Sequence, residues 1–214
     1  MTDPMLRKSV ETTVSTLQRN YLDRAHTALG AEARGTLANL RKYAGRLVEA
    51  DPLALQEVLL LLNPPLSDSE LGKGTKPSPS ERAAYTALGL FGLHMQSSTQ
   101  PMHTREQTFA FACGRLHRLS DSKSIKSRFD AMQVARDEVS RGVHLRSLIS
   151  LLRTKHIPFD YGRFVGDLRS LQNSQYRNGV LLRWGRDFAV GTTRGSAGET
   201  SEDSAASTTQ TPST

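Results

Sequence analysis

The side chains in this chain best placed to do chemistry are guanidinium groups at helical spacing. Arg34 and Arg41 stand seven residues apart, Arg115 and Arg118 three apart in GRLHRL, and Arg183 and Arg186 three apart in VLLRWGRDF. Lys126 and Arg128 add a further cluster in SIKSRFDAMQ. On a helix, positions three or seven apart share a face, so each arginine pair projects in nearly one direction. The planar donor fork of arginine matches phosphate oxygens two at a time. Arginines held on rigid helices therefore suit the backbone of a nucleic acid, gripped without reading base order and released by salt. The same faces would also suit an acidic protein partner, and charges on helices ordinarily do no more than face water. Asp187, four residues from Arg183, is the expected partner of that arginine. Asp130, Asp137 and Glu138 are expected to serve other arginines in the same way.

The remaining reactive side chains do not assemble a site by their spacing. Six histidines include no HExxH pair, and one cysteine rules out both an intrachain disulfide and a cysteine-rich zinc site. Cys113 lies between Ala112 and Gly114 with no base beside it, which reads as a buried thiol rather than a nucleophile. His94 and His103 could face each other across a short connection, in a structural role. The stretch ELGKGTK resembles a phosphate loop only in part. Ser67 stands where its first glycine belongs, Gly74 follows Lys73, and no strand precedes it. GLFG from Gly89 lies inside an apolar run, so its glycines point to close helix packing rather than to an exposed RNA-binding loop. No catalytic residue, metal ligand or cofactor is assigned.

The elements that must carry the arginines are helices. Apolar residues recur at helical spacing almost throughout, and no period-2 strand is evident. The pattern predicts helices from about Met5 to Leu29 and from about Ala31 to Val48, the second with Leu37, Leu40, Ala44 and Leu47 on its apolar face. Asp51-Pro52 has the form of an N-cap and first helical position, opening a short helix that ends before Pro64-Pro65. Residues 63–80, rich in Pro, Gly and Ser, read as a mobile loop, with Ser78 or Ser80 capping the apolar helix that follows. Further helices are expected at about 104–119, 122–136, 139–155, 159–172 and 174–190, with Asp160 as a cap. On them Leu116 and Leu119, then Ile125, Phe129 and Met132, then Leu181, Trp184 and Phe188 face a core while the arginines stand beside it. The expected fold is all-α: about nine helices over residues 5–190, in one bundle or in two sub-bundles at about 5–98 and 103–190. Residues 191–214, half of them Ser or Thr, are expected to be a disordered tail.

Composition agrees with this picture. With 37% apolar and 23% charged residues the chain can bury a core, so most of it should fold. No apolar run approaches the ~20 residues of a membrane span, and the start of the chain lacks the uninterrupted apolar stretch of a signal peptide. A cytoplasmic protein is expected. The net charge of +7 is uneven: residues 101–190 hold 16 Lys and Arg against 8 acids, whereas residues 1–100 hold 11 against 10. A basic half dominated by arginine points to a polyanion.

Several stretches also resemble the CasB family, the small subunit of the type I-E CRISPR surveillance complex Cascade. They are RGTLANLRKYAG, ALGLFGLHMQS with a following MH, GRLHRL, RFDAM, LISLLRTKHIPFDYGRFVGDL and VLLRWGRDF, in order over residues 10–189. The resemblance implies an all-helical, non-enzymatic subunit present in two copies side by side. It implies as partners the guide RNA (crRNA), the target and non-target DNA strands, and the backbone and large subunits of Cascade. Position by position it places nucleic-acid contacts at Arg34, Arg41, Arg115, Arg118, Arg128, Arg183 and Arg186, with Lys126 compensating for Ser127, where the family often has an arginine. Ala189 and Leu171 also depart from the family, which commonly has an aromatic residue and a tryptophan there. The Ser/Thr-rich tail lies outside the resemblance.

Overall fold

The structure, a computed structural model, describes residues 4–120 and 124–194. Among these residues the chain forms α1 Pro4–Asp23, α2 Ala28–Tyr43, α3 Pro52–Leu61, α4 Pro79–His94, α5 Phe109–Arg118, α6 Ser124–Val134, α7 Glu138–Thr154, α8 Tyr161–Leu171 and α9 Ser174–Thr193. No strand occurs among the described residues; the one extended contact is an isolated parallel bridge between His103 and Phe159. The chain is all-α, as its periodicity predicts. No described helix is long and apolar enough to cross a membrane.

Helix ends explain where the sequence pattern and the structure part. α1 stops at Asp23 and α2 restarts at Ala28, because the Thr27 hydroxyl caps α2 by accepting from the Gly30 N–H (3.3 Å). The turn between them is so tight that a Cβ on Gly30 would lie 2.1 Å from the Arg24 carbonyl oxygen. α2 stops at Tyr43, and Gly45 follows with φ at +82°, a region that suits glycine. Leu47, expected on the apolar face of α2, therefore falls beyond the helix and is 41% exposed. Leu119, expected to face the core, follows the last residue of α5 and is likewise exposed. α9 runs on to Thr193, into the stretch expected to be tail, because Gly191 is buried against α5. Residues 195–214, the rest of that stretch, lie outside the described residues.

Elsewhere the predicted caps are in place. Asp51 caps α3 through the Ala54 N–H (3.1 Å), and Asp160 caps α8 through the Arg163 N–H (2.9 Å). Of the two candidate serines for α4, Ser78 is the cap; with Glu81 it forms a reciprocal capping box around Pro79. Between residues 63 and 78 Leu66 and Glu70 are buried, and Ser67 and Ser78 both bond to Glu70.

α4 is apolar on nearly every side and occupies the centre, against α1, α2, α3, α7 and α8. Its two central glycines let α2 come close: a Cβ on Gly92 would lie 2.7 Å from the Arg41 nitrogen, and one on Gly89 3.1 Å from the Ala44 nitrogen. GLFG is thus a packing face, as its apolar setting suggests. α8 lies on both α1 and α4, so helices before and after residue 100 share one core. The most extensive pairing is that of α5 with α9. A Cβ on Gly114 would lie 2.1 Å from the Phe188 carbonyl oxygen, and one on Gly191 2.2 Å from that of Phe111. Two helices that touch backbone to backbone hold their side chains at fixed positions, which matters for what α5 and α9 carry.

Candidate nucleic-acid interface

The only tryptophan joins the core to the surface. Trp184, 1% exposed, packs in α9 against Phe109 (ring centroids 5.5 Å apart), Phe129 and Phe164. One turn on, Phe188 stacks on Phe129 at 4.5 Å. The indole N–H of Trp184 donates to Asp167 Oδ2 (2.7 Å), and the Arg183 guanidinium donates to Asp167 Oδ1 (2.7 Å). Arg183 therefore pairs with an acid of α8 and not with Asp187, which its own helix offers at i+4. Asp187 instead accepts from the Thr108 hydroxyl (2.8 Å), tying α9 to the start of α5. Burial pushes the Asp167 carboxyl above its usual range, against the hydrogen bonds from Trp184 and Arg183, which pull it down.

The other predicted cations sit at the surface on different helices. Arg186 and Arg41 are exposed, and neither has an ion-pair partner among the described residues. Arg115 is half-buried and Arg118 exposed, both in the last turn of α5. Lys126 pairs with Asp130 (2.6 Å), while Arg128 donates to the Ser147 hydroxyl of α7. Ile125, Phe129 and Met132 are buried beneath them. Arg34 donates to the Ala25 carbonyl (2.6 Å). Asp137, expected in an ion pair, instead caps α7 through the Ser140 N–H (2.8 Å).

These residues do not form one contiguous pair of helices. α2 packs on α1 and α4, whereas α5 and α9 pack on each other, so Arg34 and Arg41 belong to a different layer from Arg115, Arg118, Arg183 and Arg186. α7 spans the gap. Its Arg146 donates to the Ala44 carbonyl at the end of α2 (3.1 Å), and the adjacent Ser147 accepts from Arg128 of α6. Arg146 and Arg153 were not singled out from the sequence, although they are seven residues apart, the same spacing as Arg34 and Arg41. Arg141 and Arg177, also missed, converge on the single carbonyl of Ala135 (2.6 and 2.7 Å).

A common device emerges. Arg34, Arg128, Arg146, Arg153, Arg141 and Arg177 are held by carbonyl or hydroxyl oxygens, with Gln96 accepting from Arg153. A neutral acceptor orients a guanidinium without neutralising its charge. By contrast Arg7, Arg82, Arg105 and Arg163 are paired with the carboxylates of Glu11, Glu49, Glu138 and Asp160. Of the first group, the exposed Arg34, Arg128 and Arg146 leave oriented positive charge available to an anion.

The other reactive side chains lie inside. Cys113 is fully buried, and burial pushes its thiol well above the usual range. His94 and His103 meet through one residue: His94 Nδ1 is 3.1 Å from the Tyr161 hydroxyl, and His103 Nδ1 is 3.3 Å from the Tyr161 nitrogen. Burial depresses both imidazoles, His94 to about 3, so both are neutral near pH 7. No group of three or more His, Cys, Asp or Glu able to hold a metal ion occurs among the described residues.

Residues 36–188 match the family model of the CRISPR-associated protein Cse2. The chain belongs to the Cse2 family. The resemblance to CasB visible in its motifs agrees with this assignment. The matched span includes every cation named above from the sequence except Arg34. The crystal structure of CasB from Thermobifida fusca has the same fold, with a TM-score of 0.67 and 26% identity over 86% of this chain and 98% of that one. A second similar structure is a CRISPR-associated protein of the Cse2 family from Thermus thermophilus, with a TM-score of 0.54 and 21% identity. It covers 84% of this chain and 96% of that one, a likeness of fold. No curated protein matches this Cse2-family chain.

Proposed function

We propose that this Cse2-family chain is the non-catalytic small subunit of a type I-E Cascade complex. In that role it steadies the guide RNA–target DNA heteroduplex and the displaced DNA strand by contacts to their backbones. Its partners are the crRNA, the target and non-target strands, and the backbone and large subunits, with two copies side by side in a cytoplasmic ribonucleoprotein. The observation that carries this function is the presence on the helices of exposed arginines that no acid neutralises among the described residues: Arg41 and Arg186, and Arg128, which the Ser147 hydroxyl orients. Exchanging a DNA duplex for an RNA–DNA hybrid is nearly balanced in free energy, so backbone contacts of this kind can tip it. Fixed guanidiniums lose little side-chain freedom when they meet phosphate, and they carry no base readout. Arg41, Arg128 and Arg186 serve directly; Arg115 and Arg118 extend the α5 end, and Arg183 contributes from its seat on Asp167.

The test is the salt dependence of binding to duplex DNA of arbitrary sequence. Each lost phosphate contact lowers the slope of log affinity against log salt by about 0.9. The triple variant Arg41→Ala, Arg128→Ala, Arg186→Ala should therefore lose up to about 2.7 in slope and shorten the lifetime of the R-loop in the assembled complex. An unchanged slope in a folded triple variant would remove these residues from the interface.

A further inference from the structure

We infer that the pocket between α2, α4, α7 and α8 is a docking site for a protein partner, and that it takes an aliphatic side chain with a carboxylate beside it. This does not depend on the nucleic-acid function proposed above. The pocket opens where α2 ends early. Tyr43, Leu90, Leu145 and Leu171 line it from four helices and Val48 from the turn after α2, and all five are buried. Its mouth carries Leu47 and Val139, 41% and 53% exposed, so apolar surface faces water on both sides of the opening. The cavity measures about 60 Å³. At roughly 10–15 Å³ for each water-sized group, that is room for about four to six such groups, enough for an isobutyl side-chain end.

The charges at the rim specify what should accompany that side chain. Three guanidiniums line the pocket, those of Arg46, Arg82 and Arg141. Arg82 is compensated by Glu49 and Glu138. Arg46 is exposed and has no ion pair among the described residues. Arg141, 7% exposed, donates one N–H to the Ala135 carbonyl, but its Nε is buried without an acceptor. A buried charged donor with no partner is rare in a folded protein and costs stability until something accepts from it. A carboxylate at the mouth would pair with Arg46 and offset the Arg141 charge that lines the pocket, while the neighbouring aliphatic group fills the cavity.

Two other occupants fit less well. A nucleobase is larger than the cavity and gains nothing from its aliphatic walls. Residues 195–214 of the chain itself supply Glu199, Glu202 and Asp203, but no Leu, Ile, Val, Met or aromatic side chain to fill the hollow. A separate protein segment combining Leu, Ile or Met with Asp or Glu meets both requirements.

The test uses the full chain and a selection from a library of displayed random peptides. Gly142 lines the pocket from within α7, and a Cβ there would meet no atom within 4 Å. Gly142→Leu thus plugs the cavity while replacing a poor helix former with a good one, so the variant should fold at least as stably as the wild type. Enriched peptides are expected to pair an aliphatic residue with an acid. They should bind about ten-fold or more weakly to Gly142→Leu and to Arg46→Glu, while Gly142→Leu keeps the wild-type affinity for DNA. Peptides lacking the acid, or bound equally by Gly142→Leu, would overturn the inference. So would displacement of the peptides by a synthetic 195–214 peptide, which would give the pocket to the tail. Dimerisation lost in Gly142→Leu would give it to a second copy and overturn it likewise. If DNA fails to bind while such peptides are still selected, the nucleic-acid proposal falls and the pocket assignment stands.

Discussion

Replacing Asp167 separates the core role of the α8–α9 contact from its surface role. Asp167→Ala leaves the indole N–H of Trp184, a residue 1% exposed, without an acceptor. An unsatisfied buried donor costs about 1–3 kcal/mol. The lost ion pair with Arg183, whose side chain is 56% exposed, adds only about 0–1 kcal/mol. Asp167→Asn keeps an oxygen for Trp184 and removes a charge that burial disfavours, so it should lie within about 1 kcal/mol of the wild type. The two variants also differ in pH behaviour. Because the folded-state pKa of Asp167 lies above its usual 3.8, the folded protein holds that proton longer than the unfolded chain. Its ionisation then costs stability that is untouched below 3.8 and is lost as pH rises towards the folded value. Relative to the wild type, Asp167→Asn should therefore gain stability as pH rises above the usual 3.8 of a free aspartate. Urea unfolding followed by circular dichroism at several pH values measures both effects. The double variant Asp167→Ala with Trp184→Phe should recover part of the loss, because no indole donor is left unpaired. Equal stability of Asp167→Ala and Asp167→Asn would refute the role of the indole bond. A pH-independent difference between the wild type and Asp167→Asn would refute the burial argument.

Three other outcomes are expected. Gly114→Ala and Gly191→Ala each push a Cβ to within 2.1–2.2 Å of a carbonyl on the facing helix, so each should destabilise by at least about 1–3 kcal/mol in chemical denaturation. Ser78→Ala removes half of the capping box of α4 and should cost about 0.5–2 kcal/mol, seen as a lower melting temperature with an unchanged helical spectrum. His94 is depressed to about 3 in the folded protein against 6.5 unfolded, so the unfolded chain binds the extra proton. Stability should fall as pH drops from 6.5 towards 3, and a His94→Gln variant should show a shallower fall, measured by thermal melts across that range.

Much of the fold was legible because local signals and global packing agree. The apolar stripe of α9, the Asp51-Pro52 start of α3, the Asp160 cap and the glycines of GLFG each do what their neighbours in sequence suggest. These depend on a few residues along one strand of backbone, where period and cap chemistry decide. The α1–α2 break was expected at Gly30 and lies earlier, between Asp23 and Ala28, because apolar residues keep their period past Asp23 while the Thr27 cap and the tight approach of Arg24 to Gly30 interrupt the helix. The candidate interface was half legible. Spacing found Arg34, Arg41, Arg183 and Arg186, and it could have found Arg146 with Arg153 by the same rule. What spacing could not reveal is how each charge is used.

Sequence therefore decided that this is an all-helical, arginine-rich chain with the motifs of the Cse2 family, because helix periodicity and motif order are properties of the linear chain. Tertiary structure alone decided which charges stay uncompensated. Asp187 and Asp167 are both within reach of Arg183 on paper, one through its own helix and one through a neighbour. The buried indole of Trp184 draws α8 to that point and gives the pairing to Asp167. Likewise the early end of α2 exposes Leu47 and opens the pocket beside Arg46 and Arg141. Partners from other helices are brought in by packing, and no spacing rule along one helix encodes them.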